Sequence, residues 1–258
     1  MSRQMTRLRP DYHVALARSE AEIRAAQRLR YRVFVEELGG DGPGVDHAAG
    51  IETDPFDASS EHLILRDPGR AAGDQVVGVY RLMTDRGAAQ GPGFYTAGEY
   101  DLSVLHASGR PMMELGRSCL HPDYRGGDAM FHLWQGLSRI VEARGIEILF
   151  GVASFHGTDT ARIAGALSLL HHEHGAPPEL RVRSLAPAAM DILPPERIDR
   201  LAALRDIPAL IKAYLRLGGV VGEGAYIDRA FNTTDVCLVV DTARLTERQR
   251  RIYAPGPG

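Results

Sequence analysis

The sequence predicts an α/β fold, in which helices and strands alternate along 258 residues. Apolar residues recur at helical spacing between residues 19 and 38 and again over 128–144, which predicts two amphipathic helices. Short apolar runs bounded by turn residues, such as residues 146–153, predict buried strands. No linker separates the two halves of the chain, so we expect a single domain spanning residues 1–258.

The predicted elements follow one another in order. Ser19 and Glu22 have the spacing of a capping box that begins the first helix, and Gly39-Gly40 ends it. An acidic loop covers residues 41–61, and residues 84–110 are expected to be irregular. The remaining predicted strands are 62–66, 75–83, 112–120, 180–185, 220–227 and 235–241. The remaining predicted helices are 158–174 and 207–217.

Composition excludes several classes of protein. A net charge of −3 leaves no basic face across the domain, so we expect no nucleic-acid partner. Two cysteines are too few for a disulfide framework or a cysteine-rich zinc site. The chain begins without a signal-peptide-like apolar stretch, and no window reaches the roughly 18 apolar residues of a membrane span. We expect a cytoplasmic protein, and peripheral contact with the inner membrane stays open.

The stretch from residue 112 to residue 154 carries the clearest chemical signal. A strand ending at Leu120, the loop HPDYRGGDA and a helix beginning at Asp128 bring Arg125 and free backbone N–H groups to a helix N-terminus. Such a terminus favours negative charge, and Gly126 and Gly127 permit close approach of an anion. Ordinary turn chemistry is the alternative explanation of two glycines before a helix.

Six segments carry a family resemblance through their order and spacing: LRYRVFVEELG (29–39), DPFD (54–57), VVGVYRLM (76–83), FYTAGEYDLS (94–103), MELGRSCLHPDYR (113–125) and AYLRLGGVVGEGAYIDRAFNTTD (213–235). Together they resemble the bacterial ornithine-lipid N-acyltransferases of the GNAT superfamily, which are related to the acyl-homoserine-lactone synthases. The resemblance covers roughly residues 15–245, the expected core of the domain. It implies a GNAT-like mixed central sheet flanked by helices, with a C-terminal extension.

The resemblance also implies a function. A fatty acyl group, 3-hydroxylated or not, moves from the phosphopantetheine thioester of acyl carrier protein to the α-amine of an amino acid, ornithine first, giving a lyso-aminolipid. No metal or other cofactor is required. Three alternatives stay open: glutamine or another amino acid as acceptor, synthesis of an acyl-homoserine lactone, and a carrier-binding module without catalysis. Arg24, Arg28 and Arg32 share one helix face at four-residue spacing and are expected to meet the acidic carrier. For the carrier-binding module, Arg30 is a further candidate.

The glycine loop departs from the coenzyme A pattern of the superfamily. Asp128 and Met130 stand where that pattern has small residues, and a pyrophosphate tolerates a nearby carboxylate poorly. The single phosphodiester of a carrier-bound phosphopantetheine needs fewer amides. We therefore expect Arg125, Gly126 and Gly127 to bind the phosphopantetheine of acyl carrier protein. Asp128 equally fits an ordinary helix N-cap.

Glu114 and Arg117 are the candidate catalytic residues. Residues three apart in a regular strand point to opposite faces, so these side chains converge only if the strand is bulged, and Gly116 is a natural bulge position. The resemblance implies a bulge that turns a backbone N–H toward the thioester carbonyl. An apolar strand desolvates Glu114, which suits a general base. A structural Glu–Arg pair is the alternative.

Candidate acceptor-binding residues follow from charge. Arg81, in an apolar strand, binds the substrate carboxylate, pairs with Glu114, or lies at a sheet edge with its head in water. Asp46, Asp54 and Asp57 either neutralise a diamino acceptor or belong to an ordinary solvated loop. The resemblance alone adds Asp228 and Asp235 as acceptor-binding candidates.

Three other motifs have simpler structural explanations. The tract His171-His172-Glu173-His174 falls at a predicted helix end, where histidines interact with the helix dipole, so we expect no metal there. Cys119 has no histidine beside it in sequence and is expected to be a small buried apolar residue. Ser154 lacks the glycines of a hydrolase nucleophile elbow.

Overall fold

A computed structural model describes residues 10–249 and is built on an eight-stranded sheet. The strands are β1 (His13–Leu16), β2 (Val45–Asp46), β3 (Ile51–Glu52), β4 (Glu61–Arg66), β5 (Val76–Thr84), β6 (Tyr100–Asp101), β7 (Met112–Leu120), β8 (Ile148–His156), β9 (Arg183–Ser184), β10 (Val220–Val221), β11 (Tyr226–Asp228) and β12 (Thr233–Asp241). The main sheet has the order β1-β4-β5-β7-β8-β12-β10, and β11 also pairs with β12. The pairs β2–β3 and β6–β9 form two small separate sheets.

The α-helices are α1 (Glu20–Arg30), α2 (Asp85–Gln90), α3 (Ser103–Ala107), α4 (Ala129–Arg144), α5 (Ala164–His174), α6 (Arg200–Asp206) and α7 (Ala209–Arg216). The predicted capping box begins α1, because the Ser19 hydroxyl accepts a hydrogen bond from the backbone N–H of Glu22 at 3.3 Å. After Arg30 the helix continues as a π-helix over Tyr31–Glu37. None of the helices within residues 10–249 is both long and apolar enough to cross a membrane.

The sheet is mixed, as expected for a GNAT-like fold. β7 and β8 run parallel and are joined by α4, whereas β4, β5 and β12 pair antiparallel with their neighbours. α4, α5 and α7 cover one face of the sheet, with Leu133, Leu167 and Ile211 fully buried there. The other face is covered by α1 and by the segment from Phe94 to Leu105. The parallel pair lies inside the sheet, between β5 and β12, and is covered on both faces.

Some predicted boundaries are wrong. Residues 84–110 contain α2 and α3 as well as loops, and the strand expected over 180–185 is reduced to Arg183–Ser184. Arg183 and Ser184 pair with β6 instead of extending the main sheet. The predicted helix 207–217 is α7, preceded by α6. These errors fall in short elements, where packing against the rest of the molecule outweighs local sequence preference.

Candidate active site

The two parallel strands separate part-way along their length. β7 and β8 pair at Met112–Ile148, Met113–Leu149 and Glu114–Phe150. At the next residue a Cβ atom added to Gly151 would lie 2.2 Å from the carbonyl oxygen of Leu115, so the backbones are still in contact there. Beyond this contact the strands diverge and open a gap through the middle of the sheet.

β7 is bulged next to this gap. Arg81 of β5 pairs with Gly116 and Val79 pairs with Cys119, which leaves Arg117 and Ser118 together opposite Tyr80. Arg117 has a φ of 49°, a left-handed conformation that is uncommon for a residue with a side chain. The bulge implied by the resemblance is present, but it lies at Arg117 and Ser118 and not at Gly116. Two residues face one partner, which is the defining feature of a bulge.

A cavity of about 590 Å³ occupies the gap and passes from one face of the sheet to the other. On the helical face its lining includes the apolar and aromatic side chains of Met130, Trp134, Leu210, Tyr214, Leu238 and Val240. On the opposite face it is lined by polar residues, among them Arg81, Tyr95, Glu114, Arg117, Asp228 and Asp235. We call these two parts the apolar half and the polar half. They meet where β7 and β8 diverge.

A buried network of three arginines and three carboxylates supports the polar half. The Arg30 side chain is fully buried; its Nε donates to Glu52, and its Nη1 lies 2.7 Å from Asp57. Arg81 contacts Asp54, and its Nη1 lies 3.4 Å from Asp57. Arg117 completes the set, with Nε 3.2 Å from Glu52 and Nη2 2.9 Å from Asp54. The three positive and three negative charges are balanced within the protein.

The network corrects two predictions about Arg81. β5 lies inside the sheet between β4 and β7, so Arg81 is not an edge residue, and its side chain is 1% exposed. Its ionic partners are Asp54 and Asp57, so the predicted pair with Glu114 is also wrong. One guanidinium nitrogen, Nη2, is buried and has no hydrogen-bond partner within residues 10–249. It faces Gly116, since a Cβ there would lie 3.5 Å from it.

The acidic loop is divided by the structure. Asp54 and Asp57 fold inward onto the arginines and are not solvated. Burial acts to raise the pKa of Asp57, but the Arg30 guanidinium outweighs burial and holds that pKa below its ordinary value. Asp46 lies in the exposed hairpin of β2 and β3, where its carboxylate accepts from the N–H of Ala49 at 2.9 Å. It is not among the residues that line the cavity. An acceptor role for any of the three stays a prediction.

Glu114 lies at the start of the gap with a side chain that is nearly fully buried. Its two carboxylate oxygens accept from the backbone N–H groups of Thr96 at 2.6 Å and Tyr95 at 3.0 Å. The predicted ion pair with Arg117 is wrong, because Arg117 pairs with Glu52 and Asp54. Glu114 thus anchors the segment that covers the polar half. Its role as the base stays a prediction.

The predicted donor loop lies at the cavity on the side away from Glu114. Arg125 and Gly126 line it, and Gly126 has a φ of 76°. The Arg125 guanidinium forms a two-point contact with the Glu37 carboxylate, at 2.5 and 2.7 Å, and also donates to the Leu120 carbonyl. Gly127 is exposed beside it. An anion that binds Arg125 has to compete with Glu37, or share the guanidinium with it.

Comparison with known proteins places the chain among acyltransferases. It is 55% identical to the L-ornithine N(alpha)-acyltransferase of Rhodobacter capsulatus over 94% of both chains. It is 42% identical to the protein of the same name from Brucella abortus, over 93% of this chain and 88% of that one. The chain belongs to the L-ornithine N(alpha)-acyltransferase family. It is therefore an enzyme, and the hypothesis of a non-catalytic carrier-binding module is set aside.

Other comparisons agree with the fold of this acyltransferase. Residues 29–135 match the acetyltransferase (GNAT) domain family. An N-acyl amino acid synthase from uncultured soil microbes superposes with a TM-score of 0.53 at 12% identity, over 92% of this chain and 93% of that one. A coenzyme A-dependent acyl-homoserine lactone synthase gives a TM-score of 0.52 at 15% identity, over 95% and 91% of the two chains. At these identities the structural similarity establishes the fold alone.

Cys119 of the acyltransferase is not built as a nucleophile. Burial raises the pKa of its thiol to about 12, with the carboxylate of Glu52 adding to the effect and the nearby arginines opposing it. A thiol with that pKa is neutral at physiological pH. Its side chain packs with Ala26, Leu29 and Val79 between α1 and the sheet, as expected for a small buried apolar residue.

Several residues of the site were missed at the level of sequence. Arg30 was considered only as an exposed contact for a carrier, although its spacing with Ala26, Leu29 and Val33 places it on the buried face of the helix. Glu52 had no signal, because its partners Arg30 and Arg117 lie 22 and 65 residues away along the chain. Glu99 also had no signal in the sequence. Only the folded chain brings these groups together.

Proposed function

We propose that this acyltransferase transfers a fatty acyl group from acyl carrier protein to the α-amine of ornithine. The division of the cavity into an apolar half and a polar half, joined at the gap between β7 and β8, carries the proposal. An acyl chain fits the apolar half, whereas a free amino acid needs the charged groups of the polar half. The two reactants then meet at the gap, where the thioester carbonyl lies. The names of the relatives add the choice of ornithine.

The chemistry is direct aminolysis of the thioester. The α-amine nitrogen attacks the carbonyl carbon, the new C–N bond forms, and the C–S bond breaks with release of the carrier thiol. One proton leaves the amine and one is taken up by the departing sulfur. A backbone N–H of the bulged segment stabilises the oxyanion of the tetrahedral intermediate. Arg117 holds this segment in place through its contacts with Glu52 and Asp54.

Glu114 serves as the general base through a water molecule. Both of its oxygens already accept one backbone N–H, but a carboxylate oxygen has a second lone pair. Relay through water fits this arrangement better than direct contact with the amine. The position of Glu114 in the cavity, at the point where the strands separate, supports the assignment.

The acceptor binds across the polar half. Its carboxylate is held by Arg81, whose buried Nη2 has no hydrogen-bond partner within residues 10–249. Asp228 and Asp235 line the same half and attract the positive charge of a diamino acid. Asp54 and Asp57 act indirectly, since they hold Arg81 in position. Asp46 contributes only to long-range attraction of the positively charged acceptor, because it lies in an exposed hairpin.

The donor enters from the opposite side, beside Arg125, Gly126 and Gly127. Arg125 binds the phosphopantetheine phosphate as Glu37 gives way, and the α4 N-terminus adds its dipole. Arg24 and Arg32 remain partly exposed on the neighbouring helical stretch and face the acidic carrier. A cytoplasmic location, with or without peripheral contact with the inner membrane, suits such a carrier.

A reconstituted assay tests the proposal. Purified protein is incubated with an acylated acyl carrier protein and ornithine, and products are identified by mass spectrometry. We expect N-acyl-ornithine with acylation at the α-amine. Glutamine alone, and S-adenosylmethionine alone, replace ornithine in parallel reactions. Preferential formation of N-acyl-glutamine would transfer the proposal to that acceptor, and an acyl-homoserine lactone would contradict it.

A further inference from the structure

A second group of charged residues lies beside the polar half and is separate from the arginine network. Glu99 follows the turn Tyr95–Gly98, Asp228 ends β11, and Asp235 lies in β12 opposite Ser154 of β8. One carboxylate oxygen from each of the three lies within 4.8 Å of the others. Glu99 and Asp235 are only 5% and 3% exposed. Three carboxylates therefore converge in a largely buried space.

In two of these carboxylates, one oxygen lacks a hydrogen-bond partner. Glu99 Oε2 and Asp235 Oδ1 are buried and have no hydrogen-bond partner within residues 10–249. A buried carboxylate oxygen without a partner is costly, and such oxygens are almost always paired in folded proteins. The nearby Arg117 does not satisfy them, because its guanidinium is held by Glu52 and Asp54. These two oxygens are therefore free to accept hydrogen bonds from a ligand.

We propose that Glu99, Asp228 and Asp235 form the binding site for the terminal ammonium group of the acceptor and thereby select diamino acids over neutral ones. This inference rests on the proposed function and assigns a role in specificity to Glu99. An alkylammonium group has three N–H donors and no acceptor, which matches three converging carboxylates. A neutral side chain leaves the same oxygens unpaired, so it is rejected.

The position of the cluster fits an acceptor whose two ends are oppositely charged. Asp228 and Asp235 line the same cavity as Arg81 and Glu114. Arg81 Nη2 offers an unpaired donor to a carboxylate, whereas the cluster offers unpaired acceptors to an ammonium group. An amino acid held at both ends presents its α-amine between them, at the gap where the thioester lies. Selection and orientation then come from the same contacts.

The electrostatics of this cluster favours a ligand with a single positive charge. Burial, together with the charges of Asp235 and Asp228, raises the pKa of Glu99 to about 8, while Tyr95 and Arg117 oppose the shift. Burial likewise raises the pKa of Asp235 to about 6. Near neutral pH Glu99 thus holds its proton while Asp235 is mostly ionised, and a bound ammonium ion takes the place of that proton. A divalent metal ion prefers six or more oxygen ligands, and is kept as an outcome of the test.

The test compares ornithine with norvaline, which has the same carbon chain without the terminal amine. We expect wild-type kcat/KM to favour ornithine on the order of 100-fold, because an unpaired buried carboxylate opposes the neutral side chain. Asp235→Asn and Glu99→Gln should each lower this preference by about tenfold or more. The preference should fall because kcat/KM for ornithine falls, while kcat/KM for norvaline stays the same or rises. Asp191→Asn, at an exposed aspartate, is the matched control.

Three results would overturn the inference. A parallel fall of both activities in a folded variant assigns these residues to proton transfer or structure. An unchanged ornithine preference excludes them from selection. Loss of activity on chelation, restored by a divalent cation, assigns the cluster to a metal. Calorimetry of each amino acid binding to the protein without donor separates the inference from the proposed function. If ornithine binds in a way that depends on Asp235 but is never acylated, the binding site is supported and the proposed function is contradicted.

Discussion

Gly151 of β8 lies directly against the carbonyl group of Leu115 in β7, so close that a Cβ atom at residue 151 would lie 2.2 Å from that oxygen. This contact is the last one before the parallel strands diverge. The bulge at Arg117 and Ser118 follows two residues later on β7. The close approach thus fixes where the gap begins relative to the bulged backbone.

We expect Gly151→Ala to damage both stability and catalysis. Its methyl group meets backbone atoms, which cannot rotate away, so β7 and β8 have to move apart. Such overpacking costs about 1–3 kcal/mol of unfolding free energy. A shift of about 1 Å at the gap should lower kcat/KM by about 100-fold. Urea unfolding and steady-state kinetics measure both effects. Gly42→Ala, where no atom lies within 4 Å of the new Cβ, is the control.

A second prediction concerns Arg117, which contacts two carboxylates from a left-handed backbone conformation. Lysine has one ammonium group and cannot reach Glu52 and Asp54 together in the geometry of a guanidinium. We expect Arg117→Lys to lower the free energy of unfolding by about 2–4 kcal/mol, because one buried carboxylate loses its partner. Thermal unfolding measures the loss, with the exposed Arg162→Lys as control. Equal melting temperatures for wild type and Arg117→Lys would show that the network is not structural.

The elements that were predicted correctly share a local origin. The cap of α1 at Ser19, the long helix α4 and the strands β4 and β5 each depend on residues a few positions apart, so spacing alone identifies them. The bulge on β7 was different. It was expected from the family resemblance, and its displacement to Arg117 and Ser118 follows from the pairing of Gly116 with Arg81.

The chemistry of the site was harder to predict, because its partners are distant along the chain. Arg30, Arg81 and Arg117 come from three elements and meet carboxylates of one acidic loop. Sequence singled out the acidic loop, Arg81 and Arg117, but it did not show that they pair with one another. Glu114 was correctly expected to be buried, yet its partners are backbone N–H groups of Tyr95 and Thr96, which no residue pattern encodes.

The third prediction tests Glu114 as the base. Glu114→Gln should lower kcat by about two to four orders of magnitude, because the amide cannot accept a proton. The amide also opposes one of the two backbone N–H groups, so unfolding is measured alongside to separate the two roles. Turnover close to that of the wild type would make Glu114 an anchor of residues 95 and 96 only.

The fourth prediction is a dependence of stability on pH. The pKa of Glu99 is about 8 in the folded protein against 4.5 as the ordinary value, so the folded state binds the proton more tightly. Its contribution to stability is fully present below about pH 4.5 and is lost as pH rises toward about 8. Glu99→Gln cannot titrate. We expect the melting temperature of the wild type, relative to that of Glu99→Gln at the same pH, to fall as pH rises from 5 to 8. A difference that does not change with pH contradicts the prediction.

The last prediction concerns the donor. Arg125 lines the cavity at the loop before α4, where its guanidinium is held by Glu37 and remains partly exposed. Arg125→Ala removes the group that we propose as the ligand of the phosphopantetheine phosphate, so the apparent KM for the acylated carrier should rise about tenfold while that for ornithine changes little. Rising salt should weaken carrier-dependent activity, because attraction between opposite charges is screened within about 10 Å at 0.1 M. Arg162→Ala, at an exposed arginine outside the cavity lining, is the control for net charge.

The decisive measurement for the donor compares acyl carrier protein with coenzyme A bearing the same acyl chain. Equal or better use of the coenzyme A thioester would overturn the carrier assignment while leaving acylation of ornithine intact.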